Sequence, residues 1–177
     1  MSVDERMVHD IVQKVMANMQ ISGSVSGMHG VFKDMNDAIN ASIEAQKKVC
    51  TMTLDQREQI ISLIRKKTHE NAEILANMGV NETGMGNVGD KILKHHLTAD
   101  KVPGTEDIST IAWSGDRGLT LVEMGPFGVI GAITPATNPS ETVICNCIGM
   151  LAGGNTVVFN PHPAAIKTSI FAINLVN

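Results

Sequence analysis

Cys145 and Cys147 are the residues whose chemistry is easiest to name, because a cysteine thiolate is a ready nucleophile. Both fall inside an apolar run with helical spacing, where a cysteine behaves as a small hydrophobe. Cys50, near the end of a charged helical segment, is no better placed. The triplet Lys94-His95-His96 suggests a metal, yet adjacent histidines project in different directions on a helix and no third ligand stands at a useful spacing. These three residues read as solvated surface. "GMGNVG", with Gly84, Gly86 and Gly89, formally matches a dinucleotide fingerprint. Such a fingerprint follows a strand and opens a helix, whereas the residues before this one have a helical pattern. It reads as a glycine loop leading into "DKILKHHL".

The fourth candidate is a corner. From Gly128 to Asn146 the chain reads "GVIGAITPATNPSETVICN": an apolar run, two prolines four residues apart, then an apolar helical pattern. Phe127 to Ile133 reads as a strand buried on both faces. Asn138 stands where an N-cap belongs, with Pro139 at the first helical position and Glu141 at the third. The helix carries Val143, Ile144, Cys147, Ile148 and Leu151 and meets Gly153-Gly154. "NTVVF" is the next strand, and "NPHP" is a second stiff corner before a helix from near Pro163. This strand–corner–helix order, repeated, predicts parallel strands with both corners at one carboxyl edge, where ligands bind in open α/β sheets. Prolines stiffen the backbone there, Ala136 leaves room, and Thr137 or Asn138 offers a hydrogen bond.

Upstream elements must support that edge. Asp34 is positioned to cap a helix to about Val49, with Met35, Ile39 and Ile43 on one side. Thr53 and Gln56 form a capping box for a second helix, which is expected to stop at Gly79. Residues 108–124, "ISTIAWSGDRGLTLVEM", read as a hairpin around a glycine-containing turn. Val3, Met7, Val8, Ile11, Val12, Val15, Met16 and Met19 form the apolar stripe of an amphipathic helix over residues 1–20. Residues 21–30 have the composition of a flexible linker. A tethered apolar stripe needs a surface. Folding back on the same domain would supply one, but a docking peptide for a partner groove is the preferred reading.

Composition narrows the class. The chain has 177 residues with net charge −4, 3% aromatic residues and no tyrosine. Neither the charge nor the aromatic content suits nucleic acid. No apolar run approaches the roughly 18 residues that would span a bilayer, and the start lacks a secretory pattern. Three cysteines, out of metal spacing, fit a reducing compartment. Between Met124 and Ile166 the one Asp, Glu, Lys or Arg is Glu141, which suits a buried parallel sheet. No internal repeat is evident.

The block "EMGPFGVIGAITPATNPSETVICNCIGMLAGGNTVVFNPHPAA" resembles the aldehyde dehydrogenase superfamily, specifically its CoA-acylating branch, which includes the propionaldehyde and acetaldehyde dehydrogenases of bacterial microcompartments. The resemblance covers about residues 31–177. It implies an α/β fold: the N-terminal part of an aldehyde dehydrogenase-like structure, with an incomplete Rossmann-like parallel sheet preceded by helices and a hairpin. Residues 31–177 would then be a partial NAD-binding domain. Thr134, Pro135, Ala136 and Thr137 would line the nicotinamide side, with "PAT" where ordinary members have Pro-Trp-Asn. The Asn of that segment donates to the oxyanion formed in aldehyde attack, the general function of such donors. Thr137 takes its position without a gap and Asn138 stands one place later. Asn138 can cap the helix or face the substrate; the cap is favoured, leaving Thr137 or a backbone N–H at the oxyanion. Asn160, Pro161, His162 and Pro163 would form the ribose side, where ordinary members carry Lys and Glu at the places of Asn160 and Pro163. His162 either contacts the cofactor or packs at the corner.

By the same resemblance, a cysteine thiolate forms a thiohemiacetal, hydride passes to NAD, and coenzyme A resolves the thioester. That cysteine lies beyond Asn177 in the family, and no cysteine here matches it. The last segment is still on its apolar period at Ile173 and Val176. These residues are therefore expected to be the front of a longer enzyme, inactive alone and a homo-oligomer when complete. The substrate would be a small aldehyde, propionaldehyde favoured, and the hairpin resembles strands used for subunit contacts. Residues 1–20 resemble encapsulation peptides that dock to a microcompartment shell or a co-encapsulated enzyme, which would place the protein in a microcompartment lumen of the bacterial cytoplasm. The alternative is a noncatalytic cargo or assembly module that docks to the shell.

Overall fold

The computed structural model describes residues 30–177, so the expected docking helix and almost all of the linker lie outside the described residues. Helix α1, Met35–Val49, begins as expected: the Asp34 side chain accepts from the Asn36 N–H at 2.8 Å. Helix α2, Leu54–Thr83, opens with the full capping box between Thr53 and Gln56. It does not stop at Gly79. Gly84 ends it in the left-handed conformation at φ 68°, which glycine adopts without steric cost. Gly79 is instead buried inside the helix, beside Lys91 and Thr168. Asn87 then caps α3, Val88–Lys101, so "GMGNVG" joins two helices and has no preceding strand.

Strands β1, Ile111–Gly115, and β2, Gly118–Val122, form an antiparallel hairpin around Asp116-Arg117, shorter than the predicted one. Every residue of both strands is exposed. β3, Val129–Thr134, and β4, Thr156–Pro161, pair in parallel, linked by α4, Pro139–Ala152. A 3-10 turn at Pro163–Ala165 leads into α5, Ile166–Val176. The strand Phe127–Ile133 was expected to be buried on both faces, but Ala132 is buried while Ile133 is 84% exposed. Burial alternates along β3, with Ala132 and Thr134 buried and Gly131 and Ile133 exposed, while α1 and α4 each pack against both strands of this two-stranded sheet.

α2 is the central support, packing on α3, α4 and α5. Ile61, Ile64 and Leu75 meet Val143, Ile144 and Ile148 in the core, where apolar burial supplies most of the stabilisation. Polar groups then fix the arrangement. The Glu82 carboxylate accepts from the Lys167 and Thr168 N–H groups at 2.8 and 2.7 Å, satisfying free donors at the start of α5. Arg57 and Arg65 donate to the carbonyls of Ala152 and Ala99, at the ends of α4 and α3. Gln46 of α1 bridges Gly154 and Thr156 at the start of β4.

Candidate active site

The two proline corners meet. In the β3–β4 register Thr134 pairs with Pro161, and the His162 N–H donates to the Thr134 carbonyl at 3.1 Å. Both corners therefore lie side by side at the carboxyl ends of parallel strands.

Burial alternates through the first corner as though the strand continued. Thr134 and Ala136 are buried, whereas Pro135 and Thr137 are exposed. Pro135 and Thr137 are therefore the side chains open at the edge, and the buried side chains of Thr134 and Ala136 shape the corner from below. The Thr134 hydroxyl is buried without a hydrogen-bond partner. Across the gap, Asn160, His162 and Pro163 are exposed and Pro161 half-buried. His162 Nδ1 accepts from the Ala164 N–H at 3.1 Å, which commits that nitrogen to the turn and leaves the rest of the ring exposed.

Asn138 departs from the expected cap. It stands at the N-cap position before Pro139, but its side chain makes no capping bond. The Asn138 Oδ1 accepts instead from Lys94 Nζ at 3.3 Å. Only its main-chain carbonyl serves the helix, accepting from the Thr142 N–H at 3.0 Å. The Asn138 Nδ2 donors are thus not spent on α4.

Beneath the corner lies a polar cluster that the sequence reading missed. Lys91 is buried, donates from Nζ to the Thr137 carbonyl at 2.9 Å, and pairs with Glu141 at 3.3 Å. His95, expected on solvated surface, is fully buried. Its Nδ1 lies 2.7 Å from the Lys91 carbonyl, which only accepts, so Nδ1 carries the proton. Nε2 then accepts from the Ser140 hydroxyl at 2.8 Å, while that hydroxyl also lies 3.2 Å from Glu141 Oε2. Burial lowers the His95 pKa, opposed by the Glu141 charge and aided by the Lys91 and His96 charges, so the ring is neutral at pH 7. The available sequence signal was the spacing of Lys91, Lys94 and His95, which places all three on one side of a helix.

The other triplet member, His96, stacks on His69 of α2, with Nδ1 atoms 2.7 Å apart; His69 Nε2 lies 2.8 Å from Asp100. No metal-holding group of three or more side chains occurs among the described residues. Cys147 packs against the core, and burial pushes its thiol up to about 12. Cys145, expected in the apolar interior, is exposed; partial burial still raises its pKa. Neither thiol is ionised at neutral pH.

Two corners at one carboxyl edge are a binding architecture shared by many α/β proteins. Sequence comparison decides among them: the aldehyde dehydrogenase family profile matches residues 15–177. The chain belongs to the aldehyde dehydrogenase family. Within the family it is similar to an acetylating acetaldehyde dehydrogenase of Bilophila wadsworthia, 46% identical over 98% of this chain and 37% of that protein. A solved propionaldehyde dehydrogenase from the Clostridium phytofermentans fucose utilisation bacterial microcompartment is 78% identical, with a TM-score of 0.82, over 84% of this chain and 34% of that one. A Rhodopseudomonas palustris propionaldehyde dehydrogenase, solved with bound CoA and an acylated cysteine, is 49% identical with a TM-score of 0.81, over 84% and 34%. The chain spans about a third of the length of these relatives. Its fold is that of the N-terminal region of acylating aldehyde dehydrogenases.

Proposed function

We propose that this chain forms the nucleotide side of a CoA-acylating aldehyde dehydrogenase that oxidises a short aldehyde, propionaldehyde before acetaldehyde, to its acyl-CoA with NAD. The observation that carries this reading is the meeting of the two corners at one carboxyl edge, in a chain 78% identical to a propionaldehyde dehydrogenase over the region compared. The edge suits a dinucleotide. Neither corner contains an acid, the exposed residues Pro135, Thr137, Asn160, His162 and Pro163 form an open border, and the Thr134 hydroxyl is an unspent polar group beneath it. When bound, the nicotinamide supplies the hydride acceptor.

This chain contributes binding and charge stabilisation. Pro135 and Thr137 support the nicotinamide side, and Asn160, Pro161, His162 and Pro163 the ribose side. Thr134 and Ala136 set the shape of the corner from below. Asn138 is the better oxyanion donor than Thr137, because its Oδ1 is held by Lys94 while Nδ2 is not used in capping. Such a donor acts by standing ready where negative charge develops. With neither Lys nor Glu on the ribose side, fixation there is weaker, which suits a cleft admitting NAD and then coenzyme A. Residues 1–20 dock the enzyme to a microcompartment shell or a co-encapsulated enzyme in the lumen, and the complete chain is a homo-oligomer.

The test is CoA-dependent NADH formation from propionaldehyde, measured on residues 1–177 and on the longest native polypeptide that contains them. The longer polypeptide is expected to turn over and the shorter one not. Turnover by residues 1–177 alone would place the nucleophile within them and overturn its assignment beyond Asn177. Shell binding with neither NAD binding nor turnover in the longer form would instead support a noncatalytic assembly module.

A further inference from the structure

Lys91 is a costly residue to find where it is. A buried ammonium is tolerated only when paired and hydrogen-bonded, and Lys91 meets both conditions with two particular partners. Glu141 compensates its charge at 3.3 Å, and the Thr137 carbonyl, at the tip of the corner, receives its hydrogen bond at 2.9 Å. The peptide whose carbonyl is held joins Thr137 to Asn138. One helical turn along α3, Lys94 Nζ holds the Asn138 side chain by Oδ1 at 3.3 Å. One helix thus grips the corner at two successive residues, by main chain and by side chain.

The grip is braced from behind. His95 contacts the Lys91 carbonyl and the Ser140 hydroxyl, and Ser140 lies beside Glu141. α3 and the start of α4 are therefore joined by a closed set of polar contacts, from Lys91 through Glu141 and Ser140 to His95 and back. Gly79 of α2 lies against the Lys91 side chain, where an added Cβ would come within 3.8 Å of it. The aliphatic stem is packed while the ammonium reaches the corner.

We propose that Lys91 and Lys94 of α3 are positioning residues for the corner: Lys91 fixes the Thr137–Asn138 peptide plane, and Lys94 turns the Asn138 amide so that its N–H groups face outward as donors. Neither touches the reacting atoms; each acts through Asn138. The catalytic consequence rests on the acylating-dehydrogenase reading above. The effect falls on stabilisation of developing charge more than on cofactor binding, because Lys91 holds the main-chain carbonyl of Thr137 and not its side chain, and neither lysine hydrogen-bonds Pro135, Asn160 or His162.

The decisive experiment compares Lys91→Met, Lys94→Ala, Lys94→Arg and the core control Ile148→Val in the longest native polypeptide that carries this sequence. Steady-state turnover is measured beside hydrogen exchange of peptides covering residues 133–143. Lys91→Met is expected to lower kcat about tenfold or more, with the KM for NAD changed less than about threefold, as loss of an interaction realised in the transition state requires. It also speeds exchange at the corner. Lys94→Ala lowers kcat less, and Lys94→Arg restores it. Ile148→Val lowers thermal stability without the selective kcat loss or the local exchange change. Unchanged corner exchange in Lys91→Met, or an equal kcat loss in the core control, would overturn the positioning assignment. If the unsubstituted polypeptide forms no CoA-dependent NADH, the enzymatic reading fails and exchange alone decides whether Lys91 fixes the corner.

Discussion

At the scale of single residues, burial decides the chemistry of the histidines and cysteines here. His95 and His96 are neighbours in sequence, yet one is fully buried in a polar cluster and the other stacks on His69. Because burial lowers the His95 pKa below its ordinary 6.5, the unfolded chain binds a proton over a range in which the folded chain does not. Stability therefore rises with pH across that range. His95 contributes its full share above about pH 6.5, and the share is lost as pH falls from there towards the folded-state value. Urea midpoints measured between about pH 7.5 and 5.5 are expected to fall on acidification, and His95→Gln to flatten this dependence. The groups facing the ring that modulate it are Glu141, Lys91 and His96. None of this was legible in "KHH". A triplet on a helix places its members around the axis, but which direction is inward depends on what packs there.

At the scale of elements, the starts of helices were legible and one end was not. Asp34 and the Thr53–Gln56 box act through bonds within their own segments, so local sequence suffices to find them. Gly79 and Gly84 are both glycines in or after an apolar period; only the backbone conformation separates them. Gly84, at φ 68°, needs glycine, whereas Gly79 is an interior helical residue. Gly84→Ala is expected to destabilise the chain by about 1 kcal/mol, from the cost of a left-handed alanine. Gly79→Ala is expected to be neutral or to stabilise by up to about 1 kcal/mol, since its Cβ would make ordinary contacts at 3.8–3.9 Å. Chemical denaturation of the two variants checks the contrast, and a larger loss in Gly79→Ala would show that the Lys91 stem has no room to spare. Asn138 illustrates the opposite limit: its N-cap position was read correctly, but a lysine on another helix took its side chain.

At the scale of the whole molecule, apolar surface is unevenly finished. The core between α2 and α4 is closed, while Trp113, Leu119 and Leu121 of the hairpin and Ile133 of β3 stand more than half exposed. Leu119 and Leu121 share one face of the hairpin and Trp113 lies on the other, and exposed apolar surface on both faces of a hairpin suits an interaction site. Trp113 is the sole tryptophan of the chain, so its fluorescence reports on the hairpin alone. If the hairpin forms subunit contacts, as the resemblance implies, acrylamide quenching of Trp113 in the longest native polypeptide that contains it, with any tryptophan outside residues 1–177 replaced by phenylalanine, should weaken as concentration rises and oligomers form. Quenching that stays high in an oligomer of defined mass would remove the hairpin from the contact.

What the sequence determined by itself was local order and kinship: helix caps, the hairpin turn, the strand–corner–helix repeat, and the motif block that resembles acylating aldehyde dehydrogenases. Each depends on residues close together in the chain. Tertiary structure alone decided the direction of burial and the partners of the polar groups. Lys91 and Glu141, fifty positions apart, become a pair only when α3 and α4 pack together. The corner that sequence could locate is therefore held by residues that sequence could not assign, because a buried charge finds its partner in space and not along the chain.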